Sequence, residues 1–292
     1  MTRLLPSIPS RATRSLLELL LALLLAGCSA WPQPRDAGTP FGLIGDIPYN
    51  ALEVIALDRL IARMNQEDLA FVVHVGDLTS GGGPCTDAWM NARRAQFDRS
   101  RHPVLVLPGD NDWTDCHRSG MDPMERLDSF RRRFLAGTQS IGQRRIDVER
   151  QPADAGHGAY PEHMRWTLGH VLFVTINVQG SNDNLGRTPA MDVEHRVRSG
   201  AVRQWLADSA RLVRERDLYA MVVLMQADPE FQRQDDPPGT PPDVYAGLRQ
   251  QFRDLSAQLA RPLVLVHGDT HLYQQNRPLR DALPSGLLRG GR

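Results

Sequence analysis

Four short apolar runs in this chain each end in an acid. FGLIGD delivers Asp46 and FVVHVGD delivers Asp77. LVLPGDND delivers Asp110, Asn111 and Asp112, and PLVLVHGDTH delivers Asp269 and His271. Each run is rich in Val, Leu and Ile and has the length of a buried strand. Asp46, Asp77, Asn111, Asp269 and His271 together form an oxygen-rich ligand set with one imidazole. Hard divalent cations prefer such donors, so Mn, Mg or Fe suits the set better than a Cys-bound Zn. Two such ions, bridged by a carboxylate, can clamp a phosphoryl group and activate a water. One Gly-Asp step after a strand is an ordinary turn, because Asp favours turns. Four in order, each at a strand end, carry the metal reading.

Other candidates have a functional and a structural alternative. Tyr49 is a ligand or substrate contact, or else packs. Gln226 ends a further strand-like run, Leu218 to Met225, and either ligates through its carbonyl oxygen or serves as a core amide. His74 and His267 lie inside strands, so His74 reads as a satisfied core histidine and His267 as a support for neighbouring ligands. The amide-rich stretch Asn177 to Asn184 reads as a polar turn, with substrate contact as the other reading. Arg131, Arg132 and Arg133 read as a solvated helix face, with attraction of an anionic phosphate as the other reading.

The elements that position these residues follow from periodicity. Strands are predicted at 41–45, 70–76, 103–107, 218–225 and 262–266. Helices are predicted at 51–66, 87–99, 122–135, 191–216 and 244–259. Asp122 is the expected cap of the third helix, followed by Pro at its first turn. Two runs, 163–168 and 170–178, joined at Gly169, predict a β-hairpin. Residues 137–161 read as a charged loop and 234–242 as a Pro-rich surface loop. Alternating strands and helices argue a mostly parallel α/β sheet, in which ligands bind beyond the carboxyl ends of the strands. Every acid named above sits at such an end.

The series G-D, G-D, G-[DN]-N-[HD] and G-x-x-H, spread from Phe41 to Leu279, resembles the calcineurin-like metallophosphoesterases. The resemblance implies one domain over 41–292, with two mixed β-sheets packed as a sandwich and flanked by helices. It implies hydrolysis of a phosphate ester on two divalent metals. Asp46 would bind the first metal, Asp77 would bridge, and Asn111 would bind the second. Asp112 would stand at the position of the leaving-group acid, and His271 would complete the first metal's shell. An Asp at that acid position implies an acidic pH optimum or a need for good leaving groups. The chain departs from the family where Pro48, Gln226 and Asp269 replace imidazoles. Gln226 and Asp269 can still ligate through oxygen. The strands that close the family's second sheet have no counterpart in the pattern of 278–292. A scaffold that has lost its chemistry is therefore the rival expectation.

Composition narrows the field. The chain has 292 residues, no net charge, 41% hydrophobic and 23% charged residues, the balance of a globular protein without the basic excess of a nucleic-acid binder. Lys is absent, so all positive charge is Arg. Residues 1–27 combine an Arg-bearing start with a Leu/Ala run too short to span a bilayer, the pattern of a secretory signal. The run closes on Leu25-Ala26-Gly27-Cys28, which resembles a bacterial lipobox. The resemblance implies lipidation of Cys28, membrane attachment through that lipid, and a place in the cell envelope on the outer membrane facing the periplasm. Residues 28–40 would be the tether, and the substrate a phosphorylated small molecule or envelope component. Export leaves Cys85 and Cys116 as a pair in an oxidising compartment, either disulfide-bonded or as two free thiols.

Overall fold

The computed structural model describes residues 38–154, 156–233 and 243–281. The expected signal segment, Cys28, most of the tether, the loop at 234–242 and the end of the tail lie outside the described residues. From Pro40 onward the described residues form one compact unit.

The fold is α/β with two sheets. The first holds β1 (Gly42–Ile44), β2 (Val72–His74) and β3 (Val104–Val106), in that order and all parallel. Between them run α1 (Ala51–Met64) and α2 (Asp87–Phe97), and α3 (Pro123–Phe134) follows. The second sheet has the order β4 (Glu149–Gln151), β5 (Tyr160–Leu168), β6 (Val171–Thr175), β7 (Ala220–Leu224) and β8 (Leu263–Val266). Its β4, β5 and β6 pair antiparallel, while β6, β7 and β8 are parallel. The long α4 (Pro189–Glu215) and α5 (Ala246–Leu259) complete the order. The expectation of two mixed sheets is thus corrected: one is purely parallel, because each of its strands is returned by a helical crossover.

Side-chain alternation explains how the layers meet. On β6 and β7, Phe173, Val222 and Leu224 enter a core shared with the first sheet. Their neighbours Leu172, Val174, Met221 and Val223 enter the core beneath α4 and α5. Period-two alternation therefore splits one apolar run between two cores. Phe71 at the start of β2 meets Phe173 at 5.0 Å and Trp166 at 5.3 Å between ring centroids, joining the sheets. Each large side chain so buried contributes roughly 1.5–3 kcal/mol.

Local signals hold at several ends. Asp122 caps α3 through Met124 N at 2.8 Å, with Pro123 at its first position. Gly169, with φ +55°, turns the hairpin. The predicted loop at 137–161 is corrected, since it contains β4. That strand is short, charged and at a sheet edge, with Glu149 paired to Arg165 of β5, so it carries no apolar alternation to read. No strand follows β8 among the described residues, which end in a single helical turn, Pro278–Asp281. Among the described residues no helix is long and apolar enough to cross a membrane.

Candidate metal centre

Asp46, Asp77, Asp110, Gln226 and Asp269 all follow the carboxyl ends of strands, drawn from both sheets. Asp46, Asp77, Asp269 and His271 have φ values of 54°, 65°, 73° and 56°. That left-handed region costs a non-glycine residue on the order of 1 kcal/mol or more and concentrates at functional sites. Two preceding glycines are required for another reason. A Cβ on Gly109 would lie 2.1 Å from Asp77 Oδ1, and one on Gly268 would lie 2.6 Å from Asp46 Oδ2. The carboxylates rest against neighbouring backbone that has no room for a side chain.

The centre of the cluster is Asp77, Asp110 and Asp269, whose ligand oxygens lie within 4.8 Å of one another. Asp110, absent from the expected ligand set, joins the cluster from the end of β3. The reason is the turn: a 3₁₀ turn begins directly after Gly109, and its first residue meets the other strand ends. Asn111 stays adjacent, its Nδ2 donating to Asp77 Oδ2 at 2.8 Å and its backbone N–H to Asp77 Oδ1 at 3.2 Å. A signal for Asp110 existed in the sequence, since Gly109-Asp110 repeats the Gly-Asp step of the other three motifs.

Asp112 holds the turn together. Its Oδ2 accepts the N–H groups of Asp77 at 2.9 Å and Gly109 at 2.8 Å, and its Oδ1 that of Leu78 at 2.8 Å. Its side chain is fully buried. Both oxygens thus accept backbone N–H groups.

Tyr49 connects the outer residues of the cluster. Its hydroxyl lies 3.1 Å from Asp77 Oδ2, 3.4 Å from Asp46 Oδ1 and 3.0 Å from His271 Nε2. Asp46 Oδ1 also accepts the Asp269 N–H at 3.0 Å, and the His271 Nε2 is 3.7 Å away. His271 is more than half exposed at the mouth of the site. The loop Gly180–Asn184, read as a polar turn, closes the other side. Ser181 Oγ stands 2.8 Å from both Asp110 Oδ2 and Asp115 Oδ2, and Asp115 is paired with Arg118 and Arg187. Ser181 lies within the amide-rich stretch already singled out, whereas Asp115 went unread because it follows no apolar run. Cys85 and Cys116 lie at disulfide distance, with Cα atoms 5.7 Å apart, tying the loop after Asp77 to the turn after Asp112.

His74 is a buried core histidine, its Nε2 2.8 Å from the Ile47 carbonyl oxygen. His267 lies 3.8 Å from Asp228, outside the acidic cluster. Of the arginine run, Arg131 binds the buried Glu162 and Arg133 pairs with Asp87. Arg132, by contrast, is largely solvated.

The acidic cluster could hold a cation, and its electrostatics bear on that. Burial, reinforced by Asp110, holds the Asp77 carboxyl well above the usual carboxylate range. Burial and then Asp110 push Asp269 up to about 6. Burial outweighs three backbone donors and pushes Asp112 up to about 7. Asp46 is raised as well, chiefly by burial. Like charges gathered in a desolvated site resist ionisation, and a divalent ion among them reverses that. A donor set of three carboxylates with no imidazole in its centre fits a hard cation. Gln226 bears on the fit directly. Its Nε2 points at Asp269 (3.0 Å), Asp110 (3.2 Å) and Asp77 (3.4 Å), while its Oε1 accepts the Gly180 N–H at 2.6 Å. The amide orientation is the one this hydrogen-bond pattern selects. In it Gln226 meets the cluster with its nitrogen, not with the carbonyl oxygen expected to ligate. The chain matches no known protein-family model and no curated protein sequence.

Proposed function

We propose that this protein is a divalent-cation-dependent phosphoesterase. The observation that carries the reading is the convergence of Asp77, Asp110 and Asp269, from strand ends of both sheets, on a site 4.8 Å across. Asp77, Asp110 and Asp269 would hold the ion, with Asp46 beside them. The metallophosphoesterase-like arrangement suggested by the motif series, including a two-metal centre, belongs to this proposal, as does a phosphorylated small-molecule or envelope substrate. A bound ion of this type would supply charge neutralisation at phosphoryl oxygens and a more acidic water. The chain's own residues orient the rest. Tyr49 ties Asp46 to Asp77 and His271, and Asn111 fixes the Asp77 carboxylate from its other side. His271, at the mouth, is the titratable group best placed to meet a leaving group. Lipid anchoring through Cys28 and an envelope location are part of the same proposal.

A thermal shift with Mn or Mg, absent in Asp77→Ala, and loss in that variant of aryl phosphate hydrolysis by at least 100-fold are expected. Hydrolysis retained by Asp77→Ala sinks the reading.

One observation favours a second reading. The Gln226 Nε2 donates into the three-carboxylate centre, where a cation would otherwise provide the compensating charge. A scaffold without chemistry would look this way. Gln226→Glu separates the two. Under the enzyme reading it adds a fourth oxygen ligand and tightens Mn binding. Under the scaffold reading it only adds repulsion, lowering the melting temperature with no Mn response.

A further inference from the structure

We propose that Ser199, His195 and Asp183 form a second, metal-independent nucleophilic centre, suited to short-chain carboxylic esters. His195 and Ser199 are four residues apart on α4, which places them on one face of the helix. His195 Nδ1 lies 2.9 Å from the Asp183 carbonyl oxygen and 3.0 Å from its Oδ2, and His195 Nε2 lies 3.5 Å from Ser199 Oγ. Hydrogen on Nδ1, shared between these two oxygens of Asp183, leaves the Nε2 lone pair facing the serine hydroxyl. That is the order nucleophile, base and orienting carboxylate, at the looser spacing of a site without substrate.

Asp183 is itself held in place. Its Oδ1 binds Arg198 at 2.7 Å and the Gln179 N–H at 3.3 Å, leaving Oδ2 for His195. Its φ of 47° is a left-handed conformation that the surrounding contacts must sustain. All three residues line one cavity of about 110 Å³, whose apolar wall includes Val178, Val202 and Val244. A small space with an apolar wall favours a short acyl chain over a long one. Gly247 and Leu248, in the first turn of α5, also line it, and first-turn amides have no acceptor within their own helix. They are the donors at hand for a developing oxyanion. The loop Gly180–Asn184 divides this cavity from the acidic centre: Ser181 faces Asp110, and Asp183 faces His195.

The reaction balances without a cofactor. Ser199 Oγ bonds to the ester carbonyl carbon as its proton passes to His195 Nε2. The carbon–alkoxy bond breaks, and the alcohol leaves with that proton. Water then bonds to the acyl carbon, giving one proton to Nε2, which passes it to Ser199 Oγ as the acyl–serine bond breaks. The products are one alcohol and one carboxylic acid. His195 is the base and acid, and Asp183 is a positioning residue.

The test is labelling of the full chain with a fluorophosphonate probe in EDTA, mapped by peptide mass spectrometry, alongside p-nitrophenyl acetate hydrolysis. The expected result is one adduct, on Ser199, with both labelling and hydrolysis lost in Ser199→Ala at unchanged melting temperature. His195→Gln should slow labelling by about 100-fold or more. Asp183→Asn should move the acid limb of the pH–rate profile to lower pH, a shift that a merely structural carboxylate would not cause. No adduct on Ser199 of the folded protein, or equal labelling of His195→Gln, overturns the proposal.

Discussion

Asp110 and Asp112 carry the same side chain two positions apart and do opposite work. Asp110 faces the other strand ends, where its charge opposes theirs, whereas Asp112 is wrapped by three backbone N–H groups. Asp112→Ala removes an acceptor from three buried donors and should lower stability by on the order of 3 kcal/mol, since leaving a buried donor unsatisfied costs roughly 1–3 kcal/mol. Asp110→Asn should do the reverse in chelator, raising the melting temperature by relieving repulsion, while abolishing the stabilisation by Mn. Urea unfolding of both variants with and without Mn checks the two signs together. A destabilised Asp110→Asn in chelator would show that this carboxylate is structural.

At the scale of elements, the site depends on loops rather than on strands. The strands are three to nine residues long and end before the acids they deliver. What holds the acids is the left-handed backbone at Asp46, Asp77 and Asp269, the 3₁₀ turn at Asp110, the Asp112 clasp, and the cross-link between Cys85 and Cys116. That cross-link spans 31 residues, for which chain entropy predicts about 3–4 kcal/mol. Cys85→Ser with Cys116→Ser should therefore lower unfolding stability by about that much and weaken Mn binding more than it disturbs far-UV circular dichroism. Unchanged Mn affinity in the double variant would show that the cross-link does not shape the site.

At the scale of the whole molecule, protons act in two opposed ways. The raised carboxyls of the acidic cluster, including Asp269 at about 6, bind protons more tightly folded than unfolded. Without a cation they contribute stability at low pH that is lost as pH rises through their folded values. Because a cation must displace those protons, the Mn-induced gain in melting temperature should grow from pH 5 to pH 8. A gain that is flat across this range would refute carboxylate ligation. His163 behaves oppositely. Burial holds it down to about 3, and its Nδ1 stands 2.5 Å from Gln151 Oε1. Its folded value lies below the unfolded one of about 6.5. The stability it contributes is complete above pH 6.5 and declines as pH falls toward the folded value. His163→Gln should therefore show a shallower acid-side loss than the parent between pH 6.5 and 4, a difference in which the carboxyl contribution cancels. Identical slopes would place the acid sensitivity elsewhere.

Much of the element order was legible in the sequence because it rests on local periodicity. The cap of α3, the Gly169 turn and the alternating apolar runs each involve residues close together in the chain. So were three of the acids, Asp46, Asp77 and Asp269, since a Gly-Asp step after an apolar run is a local feature. The short β4 could not be read, because an edge strand needs its partner and not its own pattern. Which residue of Asp110-Asn111-Asp112 enters the site was decided by tertiary structure. Three adjacent polar side chains look alike in sequence, and only the approach of β2 determines which one its backbone N–H groups capture. Ser181, Asp115 and the amide face of Gln226 were likewise settled only by folding, as their partners lie 46 or more residues away. Periodicity reports a residue's own element, whereas a site is made by contacts between elements, and those contacts are what the packing of the two sheets supplies.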